Sequence, residues 1–552
     1  MKLSGFIKRN YLILLIFLVG LFLRTYNLST FPPGMHGDEV SIGYNAFSFL
    51  KTGNDQNGNF LPLAIDQFGD FRPAGYHYLD VPFVALFGLN EFSVRLPSAL
   101  AGSLSIILIY LLVHELFANK KMALLAGGLL AITPWDINIS RATSEGVIAT
   151  FLVMLGIYLF IKAVKSKTKA YPVFIASVVA FLLSFFFYHA ARYFVVLFFP
   201  VLLATTYVTA KKKILVAAAC FAVILAGLAF FLFAGHGTGR VSEVGLFSIP
   251  GGTVHLKQAM DEEGTLNPLI NRFYNNKLFY FGRFFITFYS QHLSGDFLFV
   301  NNGFPIRYRM HFTGNLYLVT APFLLLGLAF LLTEGIKSKK YIYLLPVAWL
   351  FIAPIPAGLT WEDLPNVQRA GIMIPALTII TAFGFMEVVS LLKGRLRAVV
   401  VIICVLFLTQ AFLNFYHNYF WRLRIHEPWH RSAAQKELVL NVEGLSKKYP
   451  VTMTAQNGNT FTSYLFYTKF DPKTYQKMGS PREKDGLMFN NLTYYNADCP
   501  LTADGDTIYS TERDMIFVNK PGCSLPKNAE EITVIRTPDG IPAFNIVKLN
   551  KN

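Results

Sequence analysis

Long apolar runs dominate the first 420 residues and constrain the fold more than any other feature of the sequence. A helix that crosses the hydrocarbon core of a bilayer needs roughly 20 mostly apolar residues. Charged residues make up only 15% of the chain, whereas soluble domains carry about 25%. We therefore predict a polytopic α-helical membrane protein with eleven spans, at residues 9–25, 96–117, 121–138, 143–163, 171–188, 192–209, 213–234, 316–333, 341–358, 370–392 and 397–418.

Basic residues orient the predicted spans. Alternate gaps between the apolar runs are short and rich in lysine or arginine: "ANKK", "KAVKSKTK", "AKKK", "EGIKSKK" and "KGRLR". Loops of this kind stay on the cytoplasmic side, which predicts a cytoplasmic N-terminus and a C-terminal part outside. Because the net charge of +16 is carried largely by these loops, we do not predict nucleic-acid binding. The first run is followed by no small-residue cleavage site, and it is predicted to be a retained span.

The first predicted outer loop, residues 26–95, contains two segments that are typical of interfacial helices. The first covers residues 38–51, where Asp38 can cap the helix and Gly53 can end it. The second covers residues 72–90 and is too interrupted to span. Their aromatic side chains suit the membrane–water boundary. Together the two helices are predicted to form a lid over the bundle.

Two adjacent carboxylates, Asp38 and Glu39, stand at the start of this loop's first helix. One interpretation is a helix cap with a carboxylate favoured by the helix dipole. The other is a general base at the edge of the bilayer, whose proton affinity is raised by partial burial. Both interpretations fit the residues alone.

Further polar residues gather in the predicted outer gaps. Charged residues at span ends are costly unless they are paired or face a cavity, and arginine matches the oxygens of a phosphate. A lipid phosphate is the obvious anion at this depth. Each arginine also has a plainer interpretation, because Arg24, Arg95 and Arg141 could extend toward headgroups and Arg95 could pair with Glu91. The candidates are Arg72, Tyr76, His77, Arg141, Glu145, His189, Arg192, Gln368 and Arg369.

A second long outer loop is predicted at residues 235–315. Its segment "NRFYNNKLFYFGRFFITFYSQHL" is aromatic and basic, which is typical of a helix at the membrane interface. Such a helix could close over an acceptor or only cover the bundle. His311, near the end of the loop, could line a cavity.

Residues 421–552 have the composition of a soluble α/β domain. Strands are predicted in "YPVTMTAQ", "SYLFYTKF", "DTIYSTE", "DMIFVN" and "EITVIRT", and a helix in "WHRSAAQKELVLNVEGLSKK". Cys499 and Cys523 could form a disulfide if this domain lies outside the cytoplasm. The domain could select an acceptor, contact a partner or shield the site. No His/Cys cluster has zinc spacing, so neither a metal nor another cofactor is predicted, although a divalent ion stays possible.

Four segments resemble a known family of membrane enzymes. They are "PPGMHGDEVSIGYNAF", "GDFRPAGYHYLDVPFVALFGLNEFSVRLPSALAGSLSIILIYLL", "ITPWDINISRATSEGVIATFL" and "PAGLTWEDLPNVQRAGIMIPAL". They are similar to the protein O-mannosyltransferase-like glycosyltransferases of the GT-C class, to which the lipid A aminoarabinose transferase is related. The resemblance covers about residues 5–400 and implies a GT-C fold in the cytoplasmic (inner) membrane. It does not explain the C-terminal domain.

The resemblance implies inverting transfer of a sugar from a polyprenyl-phosphate donor to a protein, lipid or glycan acceptor on the outer face. Asp38 matches the family's loop aspartate, the expected base, and Glu39 matches its neighbour. Arg72 stands where relatives often carry a lysine or histidine near a proline, a position linked to the donor phosphate. Glu145 stands in the place of a second acidic residue, with glutamate for aspartate, so its role stays open. Weaker matches are His77 and Arg369.

Two other functions stay open at this point: a transporter or flippase for the same lipid, and a binding scaffold. A transporter would more often show repeated halves and broken helices at the midplane. The polar residues gather at one face instead, which favours transfer chemistry.

Overall fold

A computed structural model of the protein describes residues 3–67, 70–168, 170–210, 213–233, 243–264, 267–455, 459–481, 487–489 and 491–551. The first ten helices are α1 (Leu3–Thr25), α2 (Gly37–Thr52), α3 (Gly75–Phe87), α4 (Glu91–Phe117), α5 (Lys120–Ile132), α6 (Pro134–Ser140), α7 (Glu145–Lys165), α8 (Ala170–Phe187), α9 (His189–Ala210) and α10 (Ile214–Phe233). Four helices of the long loop follow: α11 (Gly252–Glu262), α12 (Pro268–Tyr274), α13 (Lys277–Leu293) and α14 (Gly295–Phe299). The bundle ends with α15 (Ala321–Lys337), α16 (Leu345–Ile352), α17 (Ile355–Gly358), α18 (Ile374–Leu391) and α19 (Gly394–His417).

Helices occupy all eleven positions that were predicted as spans. Among the described residues, nine helices are long and apolar enough to cross a membrane, or ten if α5 and α6 form one bent span. The apolar part of α1, Asn10–Thr25, is shorter than these. The bend between α5 and α6 is 56° and falls at Pro134, because a proline disfavours helical geometry in the residue before it.

The start of α2 differs from the prediction, because His36 and not Asp38 is the N-cap residue. The His36 ring accepts a hydrogen bond from the Asp38 amide, and Glu39 accepts one from the His36 amide at 3.3 Å. The Asp38 side chain is therefore not needed to cap the helix. Gly53 ends the helix in the left-handed conformation, at φ 76°, as predicted.

Helix α2 is a buried helix and does not lie on the surface as an interfacial helix would. Val40, Ile42, Tyr44 and Ala46 are each no more than 1% exposed. The second predicted helix is shorter than expected, since residues 70–73 form a strand. This strand, β2 (Asp70–Pro73), pairs antiparallel with β1 (Ala64–Gln67), and the hairpin carries Arg72.

The C-terminal domain is a mixed sheet covered by helices, as an α/β prediction requires. Its helices are α20 (Gln435–Ser446), α21 (Asn459–Tyr467) and α22 (Pro472–Lys477). Its strands are β3 (Val451–Thr454), β4 (Leu487–Phe489), β5 (Leu492–Tyr495), β6 (Met515–Asn519), β7 (Ala529–Arg536) and β8 (Pro542–Leu549). The sheet order is β4-β5-β3-β6-β8-β7, with β3 parallel to both of its neighbours.

Three of the five predicted strands are present, as β3, β6 and β7, and the predicted helix is α20. The segment "SYLFYTKF" belongs to helix α21 instead. Its buried residues Phe461, Tyr464 and Leu465 recur at helical spacing, so they form one apolar face. The segment "DTIYSTE" forms no strand within the described residues. Cys499 and Cys523 form the disulfide that was considered possible.

The C-terminal domain packs directly on α2. The Tyr44 hydroxyl donates a hydrogen bond to the Phe470 carbonyl at 3.0 Å. The Gln476 amide donates to Ser48 and to the Asp55 carbonyl, at 3.1 and 2.8 Å. The helix that carries Asp38 is therefore held between the bundle and the soluble domain.

Candidate active site

A cavity of about 390 Å³ opens where five loops of the bundle meet. Each of the five gaps that were predicted to lie outside contributes to its wall. The polar side chains of this cavity include those of His36, Asp38, Arg72, Ser144, Glu145, Tyr188, His189, Arg307, Tyr308, Glu362, Asp363, Gln368 and Arg369. Apolar side chains form another part of the wall, among them Ile42, Leu246, Phe247, Pro356 and Leu359. Charge and apolar surface thus lie side by side, as a phosphate with a hydrocarbon tail would require.

Asp38 is at the centre of the charged part. Its carboxylate lies 3.1 Å from the Arg72 guanidinium, 3.2 Å from Arg307 and 3.5 Å from the His36 ring. The side chain stays 22% exposed toward the cavity. Burial raises the pKa of the Asp38 carboxyl, but Arg72, His36 and Arg307 outweigh burial and hold this pKa well below its usual range. With these three partners, the Asp38 carboxyl does not have the raised proton affinity that was predicted.

Glu145 is another carboxylate of the cavity, and its environment differs from that of Asp38. It is the first residue of α7, which Ser144 caps through a bond from the Val147 amide. Among the described residues no basic group lies within ion-pair distance of Glu145, and its Oε1 atom has no hydrogen-bond partner. Of the four carboxylates that line the cavity, Asp38 and Glu362 are paired with arginines, whereas Glu145 and Asp363 have no ion pair among the described residues.

Arg369, Gln368 and His189 reach the cavity as predicted. The Arg369 guanidinium donates to Thr360 at 2.9 Å and lies 3.3 Å from the Glu362 carboxylate. Gln368 accepts a bond of 2.6 Å from Ser144. The bond between Gln368 and Ser144 links the loop after α17 to the start of α7, and the Arg369 contacts lie within that loop.

Arg141 and Arg192 do not line the cavity, which corrects their assignment to a donor phosphate. Arg141 is fully buried and donates to the carbonyls of Leu23, Tyr26 and Phe31 at 2.7–3.1 Å. Arg192 donates to the Phe185 carbonyl at 2.9 Å. Arg141 therefore bonds to three backbone carbonyls, and Arg192 bonds to one carbonyl and to the His189 ring.

Glu39 was predicted to be catalytic, but it faces away from the main cavity. Its two oxygens each lie 3.1 Å from the Arg95 guanidinium, and Thr143 donates to it through its amide at 3.0 Å. Arg95 therefore does not pair with Glu91, which pairs with Lys436 instead. Glu39 stabilises the loop, while its neighbour Asp38 faces the site.

Tyr76 and His77 lie behind the cavity and do not line it, which corrects a third prediction. The Tyr76 hydroxyl donates to the Val94 carbonyl at 2.9 Å. His77 is fully buried. Burial and the nearby Arg72 charge lower the pKa of His77 to about 3, against a weaker effect of the Pro73 carbonyl.

His77 makes the stability of the fold depend on pH. Its pKa is about 3 in the folded protein and about 6.5 when unfolded. Between these values the unfolded chain takes up a proton that the folded chain does not, so stability falls as the pH falls. The limiting slope is about 1.4 kcal/mol per pH unit. We expect His77→Gln to flatten the fall in melting temperature between pH 7.5 and pH 5, and the exposed His430→Gln to leave it unchanged. An equal fall in wild type and His77→Gln would contradict this.

Arg307 is the main residue that the sequence analysis missed. It lies in a short turn, Ile306–Tyr308, within the long loop, and its guanidinium reaches Asp38 at 3.2 Å and the His36 ring at 3.4 Å. The arginine in "FPIRYRMHF" was the available signal. His311, three residues after Tyr308, does not line the cavity and instead lies 3.7 Å from Glu427.

A metal site is not evident in the described ranges, where no group of three or more His, Cys, Asp or Glu residues is arranged to hold an ion. Metal-independent chemistry stays a prediction. Loss of transfer on chelation, with recovery on adding a divalent ion, would contradict it.

Comparisons with known proteins agree with the fold. Residues 72–231 match the dolichyl-phosphate-mannose-protein mannosyltransferase family. The putative mannosyltransferase YkcB of Bacillus subtilis is 30% identical over 159 residues, 28% of this chain and 20% of YkcB. YycA of the same organism is 28% identical over 162 residues, 28% of this chain and 22% of YycA. The match thus covers about a fifth of the length of these curated relatives.

The structural similarity extends over the whole chain. ArnT from Cupriavidus metallidurans in the apo state superposes with a TM-score of 0.53 at 12% identity, covering 99% of this chain and 98% of ArnT. ArnT bound to undecaprenyl phosphate gives a TM-score of 0.50 at 13% identity with the same coverage. The C-terminal domain is included in this superposition. The chain therefore has the fold of the GT-C glycosyltransferases, and its residues 72–231 are similar to the dolichyl-phosphate-mannose-protein mannosyltransferase family.

Proposed function

We propose that the protein is a glycosyltransferase of the cytoplasmic membrane that moves a sugar from a polyprenyl-phosphate donor to an acceptor on the outer face. The observation that carries the proposal is the meeting of Asp38, Arg72 and Arg307 in one cavity with an apolar wall. The guanidiniums of Arg72 and Arg307 place several N–H donors side by side, an arrangement that suits the oxygens of a phosphate. ArnT, which has the same fold, has been crystallised with undecaprenyl phosphate.

Orientation in the membrane is part of the proposal. The five loops predicted to be outside all reach the cavity. Glu115, near the end of α4, lies 3.1 Å from Lys165, which belongs to a loop predicted to be cytoplasmic. Both facts support a cytoplasmic N-terminus, with the cavity and the C-terminal domain outside.

The chemistry would proceed by one displacement with inversion. The acceptor hydroxyl attacks the anomeric carbon, its proton passes to a carboxylate, and the bond from that carbon to the phosphate oxygen breaks. Arg72, Arg307 and Arg369 would stabilise the charge that grows on the leaving phosphate. The acceptor can be a protein, a lipid or a glycan, since each offers a hydroxyl.

Asp38 is the proposed base, and the donor itself would make it one. While Arg72 and Arg307 pair with Asp38, its proton affinity is low. A bound phosphate shares these two guanidiniums, so their pull on Asp38 weakens and its proton affinity rises. Asp38 would thus become basic only when a donor is present. Glu145, which has no ion pair among the residues that the structure describes, is the second candidate.

The test uses purified protein in nanodiscs with a panel of labelled undecaprenyl-phosphate sugars and membranes of the source organism as acceptor. We expect one donor to be consumed, with release of undecaprenyl phosphate and transfer of the label to an acceptor that organic solvent does not extract. Binding without release would indicate a transporter or a scaffold instead. A panel in which no donor binds would contradict the proposal.

A further inference from the structure

The first turn of the C-terminal domain contacts the main chain at Arg307 and at Gly34, four residues before Asp38, without lining the main cavity. This turn, residues 428–433, lies against the backbone that carries Arg307 on one side. On the other side it lies against the loop that leads to α2 and Asp38. We call it the domain turn.

Arg431 makes the contact on the Arg307 side. Its Nε donates to the Arg307 carbonyl at 3.0 Å, and its Nη2 donates to the Arg309 carbonyl at 2.7 Å. Its Nη1 donates to the His426 carbonyl at 2.7 Å. A single guanidinium therefore fixes the main chain on both sides of Tyr308, and with it the position from which the Arg307 side chain starts.

Gly34 marks the contact on the Asp38 side. It has a φ of 73°, and a side-chain carbon there would lie 2.3 Å from the Arg431 carbonyl oxygen and 2.7 Å from the Ala433 nitrogen. Only glycine allows so close an approach in this conformation. Gly34 lies two residues before His36, the cap of α2, so the domain turn also limits where α2 can begin.

Arg431 carries a buried charge, as Arg141 does. It is only 4% exposed, and no carboxylate among the described residues lies within ion-pair distance. Burial lowers its pKa to about 10, with Tyr419 and Glu427 acting in the opposite direction. A buried cation without a carboxylate is costly. Its bonds to carbonyls in two directions are geometry that a lysine cannot reproduce.

We propose that Arg431 is a positioning residue, through which the C-terminal domain sets the distance between Arg307 and Asp38. The inference rests on the proposed function, because it assigns the residue a role in the same site. It also gives the C-terminal domain a role, since the domain completes the active site from behind and does not enter it. Loss of Arg431 would let the Arg307 turn move away from Asp38.

The experiment is a double-mutant cycle in the full-length protein. Arg431→Met is expected to lower the rate of transfer by about 10²-fold, the loss that a displacement of about 1 Å can cause. Arg431→Lys should recover only part of it. If Arg431 acts through Arg307, the double variant Arg307→Met/Arg431→Met should be no slower than Arg307→Met alone. Lys436→Met, which removes another contact of the same domain with the bundle, should transfer at the wild-type rate.

Binding of the lipid carrier is a second measurement, and it tests the inference independently of the rate of transfer. Binding of undecaprenyl phosphate is expected to weaken about tenfold in Arg431→Met and in Arg307→Met, with no further loss in the double variant. Independent losses that multiply in the double variant would overturn the inference and leave a structural role. So would an Arg431→Met protein that matches Lys436→Met. If wild type neither binds nor transfers, the proposed function fails, and this is a different outcome.

Discussion

Replacing Asp38 by asparagine is expected to lower the rate of sugar transfer by about 10²–10⁴-fold, the usual contribution of a general base. The two side chains have nearly the same size, so the fold should be kept. Binding of undecaprenyl phosphate should stay equal or become tighter, because Arg72 and Arg307 lose the carboxylate that competes with the phosphate for them. Slow transfer with full binding is the combination that identifies a base. It is measured by release of undecaprenyl phosphate and by equilibrium binding of the same lipid.

Two further variants are needed to interpret the result for Asp38→Asn. Asp66→Asn removes a carboxylate of the same loop that does not line the cavity, and it should transfer at the wild-type rate. Glu145→Gln separates the two candidate bases. If Glu145→Gln abolished transfer while Asp38→Asn kept it, the proton would go to Glu145, and Asp38 would serve only to hold the two arginines.

The bundle could be predicted from the sequence because the bilayer leaves few options. A run of about 20 apolar residues can only be a spanning helix, and helices occupy every predicted position. The C-terminal strands were harder, because "SYLFYTKF" has the aromatic content of a strand. The segment packs on α2 and α20 as a helix, and these contacts between distant parts of the chain cannot be predicted from the local sequence.

The site could be predicted only in part, because sequence position does not tell which way a side chain points. Asp38 and Glu39 are neighbours, but one faces the cavity and the other faces Arg95. Arg72 and Arg141 were both candidates for a phosphate, although only Arg72 matches a position that the family resemblance links to the donor. The hairpin directs Arg72 into the cavity, whereas the loop at Arg141 offers three buried carbonyls that bind the guanidinium first. Arg307 comes from a distant loop and becomes visible only once the chain has folded.

The second large effect concerns the ion pair between Arg95 and Glu39. The Arg95 guanidinium is fully buried and also donates to the carbonyls of Leu28 and Pro32, at 3.2 and 2.9 Å. Replacing Arg95 by methionine would leave the Glu39 charge buried without a cation beside it. Breaking a buried pair in this way costs about 3–5 kcal/mol, so we expect a large fall in melting temperature. Lys436→Met breaks a more exposed pair with Glu91, and it should cost no more than about 1 kcal/mol.

Two measurements show whether Arg95→Met is unstable because Glu39 has lost its cation or because Arg95 has lost its other contacts. They are the response of stability to pH and the effect of a second substitution. In the wild type, burial raises the pKa of Glu39, but Arg95 and the hydrogen bonds from Thr143 and His36 lower it below its usual value. The pair therefore stabilises the fold above the unfolded pKa of Glu39, and this stability is lost as the pH falls through the folded pKa. In Arg95→Met, burial is no longer opposed by a cation, so the folded pKa of Glu39 rises and the variant should become relatively more stable as the pH falls. Adding Glu39→Gln removes the buried charge at every pH and keeps an acceptor for Thr143, so the double variant should recover most of the lost melting temperature. A double variant as unstable as Arg95→Met would show that the loop depends on the bonds of Arg95 to backbone carbonyls and not on the charge of Glu39.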